Sequence, residues 1–234
     1  MPDHEQNPGP PAVGTPVGTQ VAIWDLPIRL FHWLLAVLLV FSWVTQWRGW
    51  MELHYLSGQA ILALLLFRVT WGFLGSDTAR FRFFLKSPAA ALRHLMHLRR
   101  REPDTELGHN AAGGWMVLGL LALLFAQVVT GLFSNDDDAL IEGPLRHLVS
   151  RNLSDWLTHL HALTFNLIEI AIVLHVLAIA VYLALKGHNL VRPMIIGHKT
   201  MPRPEAVPSV VSTFRAVVIF VLALVAVVAL VRWM

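Results

Sequence analysis

Trp156-Leu-Thr-His159-Leu-His161-Ala-Leu-Thr-Phe-Asn-Leu-Ile-Glu169-Ile-Ala-Ile-Val-Leu-His175-Val-Leu-Ala-Ile-Ala-Val-Tyr-Leu-Ala-Leu185 carries a single formal charge, Glu169. An α-helix needs about 20 apolar residues to cross the hydrocarbon core of a bilayer, so this run reads as a membrane span. It also carries histidines. His161 and His175 are 14 residues apart, which is about 21 Å along a helix and close to four full turns, so both lie on nearly the same face. His159 competes with His161, but the two point about 200° apart and only one can face a bundle core. The match in spacing to His175 favours His161.

Four further apolar runs surround this one. Leu30 to about Trp47 is uncharged and flanked by Arg29 and Arg48. Leu53 to Leu74 holds one charge, Arg68, and Ala111 to Phe133 holds none. Ala216 to Val231 is shorter; Val210, Val211 and Phe214 extend it across a bilayer if Arg215 snorkels to the interface. The whole chain is 56% hydrophobic and 14% charged, far too little charge for a soluble domain of this length. The expected fold is an all-α integral membrane protein, a four-helix transmembrane bundle plus a fifth C-terminal transmembrane helix. Residues 1–27, rich in Pro and Gly, read as a flexible cytoplasmic N-terminal tail. Residues 28–200 form the bundle, with spans at about 30–47, 53–74, 111–133 and 156–185, and residues 201–234 supply a connector and the extra helix. No cleavable signal-peptide pattern is visible, so the first span is expected to serve as the insertion signal.

Orientation follows from Lys and Arg. The loop from Gly75 to Asn110 holds Arg80, Arg82, Lys86, Arg93, Arg99, Arg100 and Arg101, whereas the loop from Ser134 to Asp155 holds only Arg146 and Arg151. The positive-inside rule puts the first loop and the N-terminus in the cytoplasm and the second loop outside. The connector with Lys186, Arg192, Lys199, Arg203 and Arg215 then falls on the cytoplasmic side, in agreement. Pro88 to Arg101 reads as a short basic helix lying on the lipid surface.

Four histidines lie in or at the ends of spans: His32, His54, His161 and His175. Ionisable side chains in a membrane face the bundle interior and a partner. With the inferred topology, His54 and His161 share the outer level, while His32 and His175 share the inner one. Two metal centres stacked across one bilayer would need this spacing. Bis-histidine haem is the natural occupant, because neutral imidazole binds iron well and two axial ligands leave no open coordination site. Such iron passes electrons rather than activating oxygen. Arg68 lies 14 residues after His54, hence on its face at the inner level, and Arg29 lies close to one turn before His32. Both suit haem propionates, or else snorkel to lipid phosphates. Gly58 and Gly119 give room for a flat macrocycle or simply for close helix packing. Glu169 is either a proton- or quinone-site group or a hydrogen-bonded structural acid. His94, His97, His109, His147, His188 and His198 lie in polar segments and read as surface residues.

The chain has no cysteine. That excludes iron–sulfur clusters, covalent c-type haem, disulfides and thiol nucleophiles. The pI near 9.8 comes without a basic groove or aromatic RNA-binding motif, so no nucleic-acid partner is expected.

The stretch Val21-Ala-Ile-Trp24-Asp25-Leu-Pro27-Ile-Arg29-Leu-Phe31-His32-Trp33 resembles the opening of the bacterial cytochrome b561 family, which includes the cytochrome b subunits of nickel–iron hydrogenases. His54-x-x-x-Gly58 with Phe67-Arg68-x-x-Trp71-Gly72 resembles its second span, and Gly108-His109-Asn110 entering Gly113-Gly114-Trp115 its third. His161 with His175, then Asn189-Leu-Val191-Arg192-x-Met194-Ile-x-Gly197, resembles its fourth span and tail. The resemblance covers roughly Val21 to Lys199. It implies a haem-binding bundle in the bacterial inner membrane. Two non-covalent haem b groups would be held by His32, His54, His161 and His175, passing electrons between a membrane quinone and an outer redox partner such as a c-type cytochrome or an oxidoreductase subunit. The chain after Met201 exceeds the smallest four-span members.

Two other functions compete. The same haems would suit a quinone reductase that oxidises superoxide or another small substrate, with Arg146, Arg151 or His159 attracting the anion. The acidic run Asp136–Asp138 instead favours docking a basic protein. A haem-free transporter would need a polar path, and spans one and three offer little beyond Ser42, Thr45, Gln127 and Thr130.

Overall fold

The computed structural model describes residues 18–97, 106–136, 141–201 and 208–233. The first 17 residues, Arg99 to Arg101, Asp137, Asp138 and Arg203 lie outside the described residues. Among the described residues, eight α-helices and four short strands follow one another. Strand β1 is Thr19–Ala22; helices α1 and α2 are Leu26–Trp47 and Met51–Leu74. Next come α3, Phe81–Phe84, and α4, Pro88–Met96, then α5, Ala111–Leu132. Strands β2, Asn135–Asp136, and β3, Ile141–Glu142, precede the long α6, Arg151–Val181, which continues as a π-helical turn over Tyr182–Lys186. Helix α7, Val191–Ile196, strand β4, His198–Met201, and helix α8, Thr213–Trp233, complete the chain. Among the described residues, five helices, α1, α2, α5, α6 with its π turn, and α8, are long and apolar enough to cross a membrane. The protein is a multi-pass helical membrane bundle.

Helix α2 is the hub. It packs on α1, α5 and α8, while α6 packs chiefly on α5. More than half of the most apolar stretch of α2 is buried, 56%, against at most 22% for any other span. Ile61 through Leu65, Phe67, Arg68 and Trp71 are buried around its whole circumference, which a helix shows only when neighbours surround it. The other spans leave Leu, Val and Ile outward, as lipid-facing helices do. The fifth helix α8 lays Ala216, Ala223 and Val227 toward the bundle, and Phe220 meets Phe67 edge-on. Small residues let membrane helices approach closely.

The helix entries carry the local signals that place them. Asp25 caps α1: its Oδ1 accepts from the Ile28 N–H at 2.8 Å, and Pro27 sits in the first turn. Asn110 caps α5 by accepting from the Gly113 N–H at 2.8 Å. Ser87 and Ser150 cap α4 and α6 in the same way. Between α1 and α2 the chain reverses at Gly49, whose φ of +70° a side chain would strain.

Residues 19–22, expected within the flexible tail, pair antiparallel with His198–Met201. The Ile23 and Trp24 N–H groups then donate to the Gly197 carbonyl at 2.9 and 3.1 Å. Gly197 has a φ of +87°, and a Cβ there would lie 2.8 Å from Arg29 Nη1 and 3.0 Å from the Trp24 carbonyl. A strand partner nearly 180 positions away cannot be read from local composition.

Asp25 also ties two spans together. Its Oδ2 accepts from the indole of the fully buried Trp71 in α2 at 3.0 Å. Asp25→Ala removes the cap, worth about 1 kcal/mol, and orphans a buried indole N–H at about 1–3 kcal/mol. Thermal unfolding in detergent is expected to show a loss of about 2–4 kcal/mol, with Trp71→Phe costing less and the pair costing less than the sum. Additive losses would separate the two contacts.

Candidate haem sites

Helix phase brings the four span histidines into two pairs. His54 of α2 faces His161 of α6 with ring centres 6.4 Å apart and planes at 87°. His32 of α1 faces His175 of α6, also at 6.4 Å, with planes at 52°. His159 is exposed on the opposite side of α6. Two imidazoles trans across one metal ion, each nitrogen about 2.0 Å from it, have ring centres roughly 6 Å apart. Both pairs meet that separation.

The His54–His161 pair, at the level expected to be the outer one, is oriented by backbone. His54 Nδ1 lies 3.0 Å from the Ser42 carbonyl and His161 Nδ1 lies 2.8 Å from the Gln127 carbonyl. In each ring the Nδ1–H donates to that carbonyl and the Nε2 lone pair is left for another partner, an assignment drawn from the hydrogen-bond network. The Gln127 amide currently donates to His161 Nε2 at 3.1 Å, and its oxygen accepts from Thr164. Between the rings lies a cavity of about 430 Å³, lined by α1, α2, α5 and α6, with Leu39, Leu124, Val128 and Phe165 among its apolar walls. Gly58 lines it, and a Cβ there would meet nothing within 4 Å. Gly119, by contrast, does not line this cavity.

One residue missed in the sequence is Gly131 of α5. A Cβ at that position would come within 2.8 Å of the His161 ring. Sequence offers a weak signal for it, since Gly131 lies four residues after Gln127 and therefore on the same face. Above the pair, Asn135 joins α5 to α6: its N–H donates to Thr158 Oγ1 at 3.0 Å and its amide to Asp155 at 3.0 Å.

The His32–His175 pair, at the level expected to be the inner one, has different surroundings. His32 Nδ1 and Arg29 Nε are buried without a hydrogen-bond partner. Arg29 lies against Gly197. Arg68, buried in α2, donates to the Ala79 carbonyl at 3.2 Å and stacks its guanidinium 5.0 Å above Phe81. Unpartnered buried nitrogens beside paired imidazoles, together with a glycine-bounded cavity at the outer level, fit the planar, carboxylate-bearing, iron-containing macrocycle of a haem. The residues that would hold it are the four histidines, with Arg29 and Arg68 available to its carboxylates. Glu169 is exposed on α6 and makes no ion pair or hydrogen bond among the described residues.

Among the histidines read as surface residues, His94 and His109 reach side chains of distant elements. His94 of α4 bonds the Tyr182 hydroxyl, which also accepts from the Asn110 amide at 2.9 Å. His109 is enclosed between Trp24 and Phe84, with ring centres 4.7 and 5.2 Å away. The polar neighbours in sequence concealed this, because the enclosing rings come from β1–α1 and α3.

A profile of the prokaryotic cytochrome b561 family matches residues 23–197. The chain belongs to that family and is a membrane b-type cytochrome, a protein of electron transfer that binds b-type haem. Among curated proteins it is similar to the "Probable Ni/Fe-hydrogenase 1 B-type cytochrome subunit" of Escherichia coli (strain K12), 24% identical over 156 residues covering 54% of this chain and 66% of that one. It is also similar to the "Probable Ni/Fe-hydrogenase B-type cytochrome subunit" of Bradyrhizobium diazoefficiens, 25% identical over 150 residues covering 53% and 60%. The matches thus span just under two thirds of these relatives' lengths. No solved structure matches the chain.

Burial, then the Arg68 charge, then the inner histidines hold the His109 pKa down at about 3. A histidine depressed in the folded state is neutral at pH 7, and the unfolded chain takes up its proton first as pH falls below about 6.5. Folding stability is therefore full above that value and falls as the pH drops toward 3. Between pH 7.5 and pH 5 the loss is about 2 kcal/mol, and His109→Gln is expected to abolish that share of the acid sensitivity in thermal unfolding.

Proposed function

We propose that this protein is a dihaem cytochrome that carries electrons across the bacterial inner membrane between the quinone pool and a redox partner on the outer side. The observation that carries the reading is the pair of pairs: His54–His161 and His32–His175, each 6.4 Å between ring centres, held at two depths by one 14-residue spacing on α6. Two bis-histidine haems leave no coordination position for substrate, which favours electron transfer over chemistry at iron. About 21 Å of helix separates the two levels, so each haem lies near one surface and each partner can dock on its own side. The N-terminus is cytoplasmic under the positive-inside rule. The relatives' printed names support a partner that is an oxidoreductase subunit, such as a hydrogenase. The Asp136 carboxylate at the rim of the outer cavity supports a basic protein there, such as a c-type cytochrome.

The reading is tested by haem content. Purified protein expressed with ample haem is expected to hold two b-type haems per chain. His54→Leu or His161→Leu should each leave one, and so should His32→Leu or His175→Leu, whereas His159→Leu should keep both. One haem in the unaltered protein, or two in the His161 variant, would overturn the assignment. Gly131→Ala, which pushes a methyl into the His161 ring, is expected to weaken retention of the outer haem at least tenfold in a haem-transfer assay.

A further inference from the structure

We propose that Arg80, Arg82 and Arg215 form a binding site for the phosphate of an anionic phospholipid, seated between the C-terminal end of α2 and the first turn of α8. None of these residues lines the cavity between His54 and His161, so the site stands whether or not haem binds there.

The three arginines line one cavity of about 360 Å³ together with Gly72, Phe73 and Leu74 of α2. Two distant stretches of chain are fastened to each other to build it. The Asp77 N–H donates to the Ser209 carbonyl at 3.1 Å, and the Ser209 N–H donates to Asp77 Oδ2 at 2.9 Å. The Val211 N–H donates to Ser76 Oγ at 3.0 Å. These bonds hold the start of α8, and Arg215 with it, beside the segment that follows α2. Gly72 admits the other wall: a Cβ there would overlap the Phe81 ring, so glycine lets α3, which carries Arg82, fold back against the end of α2.

The cavity gathers cations without enough counterions. Arg80 Nε donates to the Gly75 carbonyl at 2.7 Å, and its Nη1 lies 3.6 Å from Asp77 Oδ1. Arg82 rests 5.1 Å from the centre of the Phe83 ring. Among the described residues the exposed Arg82 and Arg215 side chains make no hydrogen bond and no ion pair. The Asp77 carboxylate is already shared between Ser209 and Arg80, so positive charge is left over, and the first turn of α8 adds the positive end of its dipole. A phosphodiester supplies the missing negative charge, and its oxygens accept paired N–H groups from a planar guanidinium. The apolar rim points to a lipid as the source. Phe73, Leu74 and Phe214 are exposed at the ends of two helices long and apolar enough to cross a membrane. Acyl chains cover those side chains while the head group reaches the arginines, as basic pockets between spans allow; a soluble anion would leave the rings bare.

Native mass spectrometry of the delipidated full chain in neutral detergent tests this, with dioleoylphosphatidylglycerol as the probe. That lipid is expected to bind about tenfold more tightly than zwitterionic dioleoylphosphatidylcholine, and excess inorganic phosphate is expected not to displace it. Arg82→Gln combined with Arg215→Gln should weaken phosphatidylglycerol binding about thirtyfold, whereas Arg93→Gln on α4, outside the cavity, should leave it unchanged. Should the double variant not fold, Arg215→Gln alone is expected to lose about fivefold. Equal binding of the two lipids, or the same loss in Arg93→Gln as in the cavity variants, would overturn the site. Displacement by inorganic phosphate would overturn its lipid occupant.

Discussion

A neutral imidazole in a bilayer has one N–H that must donate and one lone pair that must be used, and no water supplies either partner. The rest of this structure is arranged around that demand. At the outer level the N–H groups of His54 and His161 find carbonyls of α1 and α5, each already in a helical bond but with a second lone pair to offer. That pins both rings from behind and aims their remaining nitrogens across a cavity. The 6.4 Å between ring centres is then set by helix placement rather than by contact between the rings. The same separation recurs at the His32–His175 level, and both levels share α6, where 14 residues bring the same face round again close to four turns later.

Helix placement in turn depends on α2, whose middle is surrounded on all sides, and on the connecting segments that brace its C-terminal end. Asp25 joins the start of α1 to Trp71. Arg68 reaches the Ala79 carbonyl and the rings of α3. Asp77 accepts from the Ser209 N–H at 2.9 Å, which holds the start of the fifth span and keeps the Asp77 carboxyl below the usual range. These contacts gather toward the C-terminal end of α2, where each buried polar group finds a partner that offsets the cost of its burial. The membrane part supplies a slot, and the bracing fixes its width.

Relatives at 24–25% identity share few side chains in total. On the dihaem reading proposed above, what this chain needs for its chemistry is sparse: two pairs of rings, a glycine where a ring passes, and a cation or two beside one pair. Charge and second-nitrogen hydrogen bonding can vary over that frame and alter potential without altering fold.

The spans, their polarity and the face shared by His161 and His175 were legible in the sequence, because lipid imposes length and apolarity on each helix separately and 3.6-residue periodicity is local. Helix α6 begins five residues before the expected start and α1 four before, since Ser150 and Asp25 cap them ahead of the apolar run. The choice of His161 over His159 followed from phase alone. Tertiary structure decided what depends on residues distant in the chain. It enclosed His109 between Trp24 and Phe84, set Gly131 against His161, put β1 beside β4, and gave the outer rings carbonyl partners that the inner rings lack. Those relations are contacts between elements, and a contact is determined by where two helices cross, which no single stretch of sequence encodes.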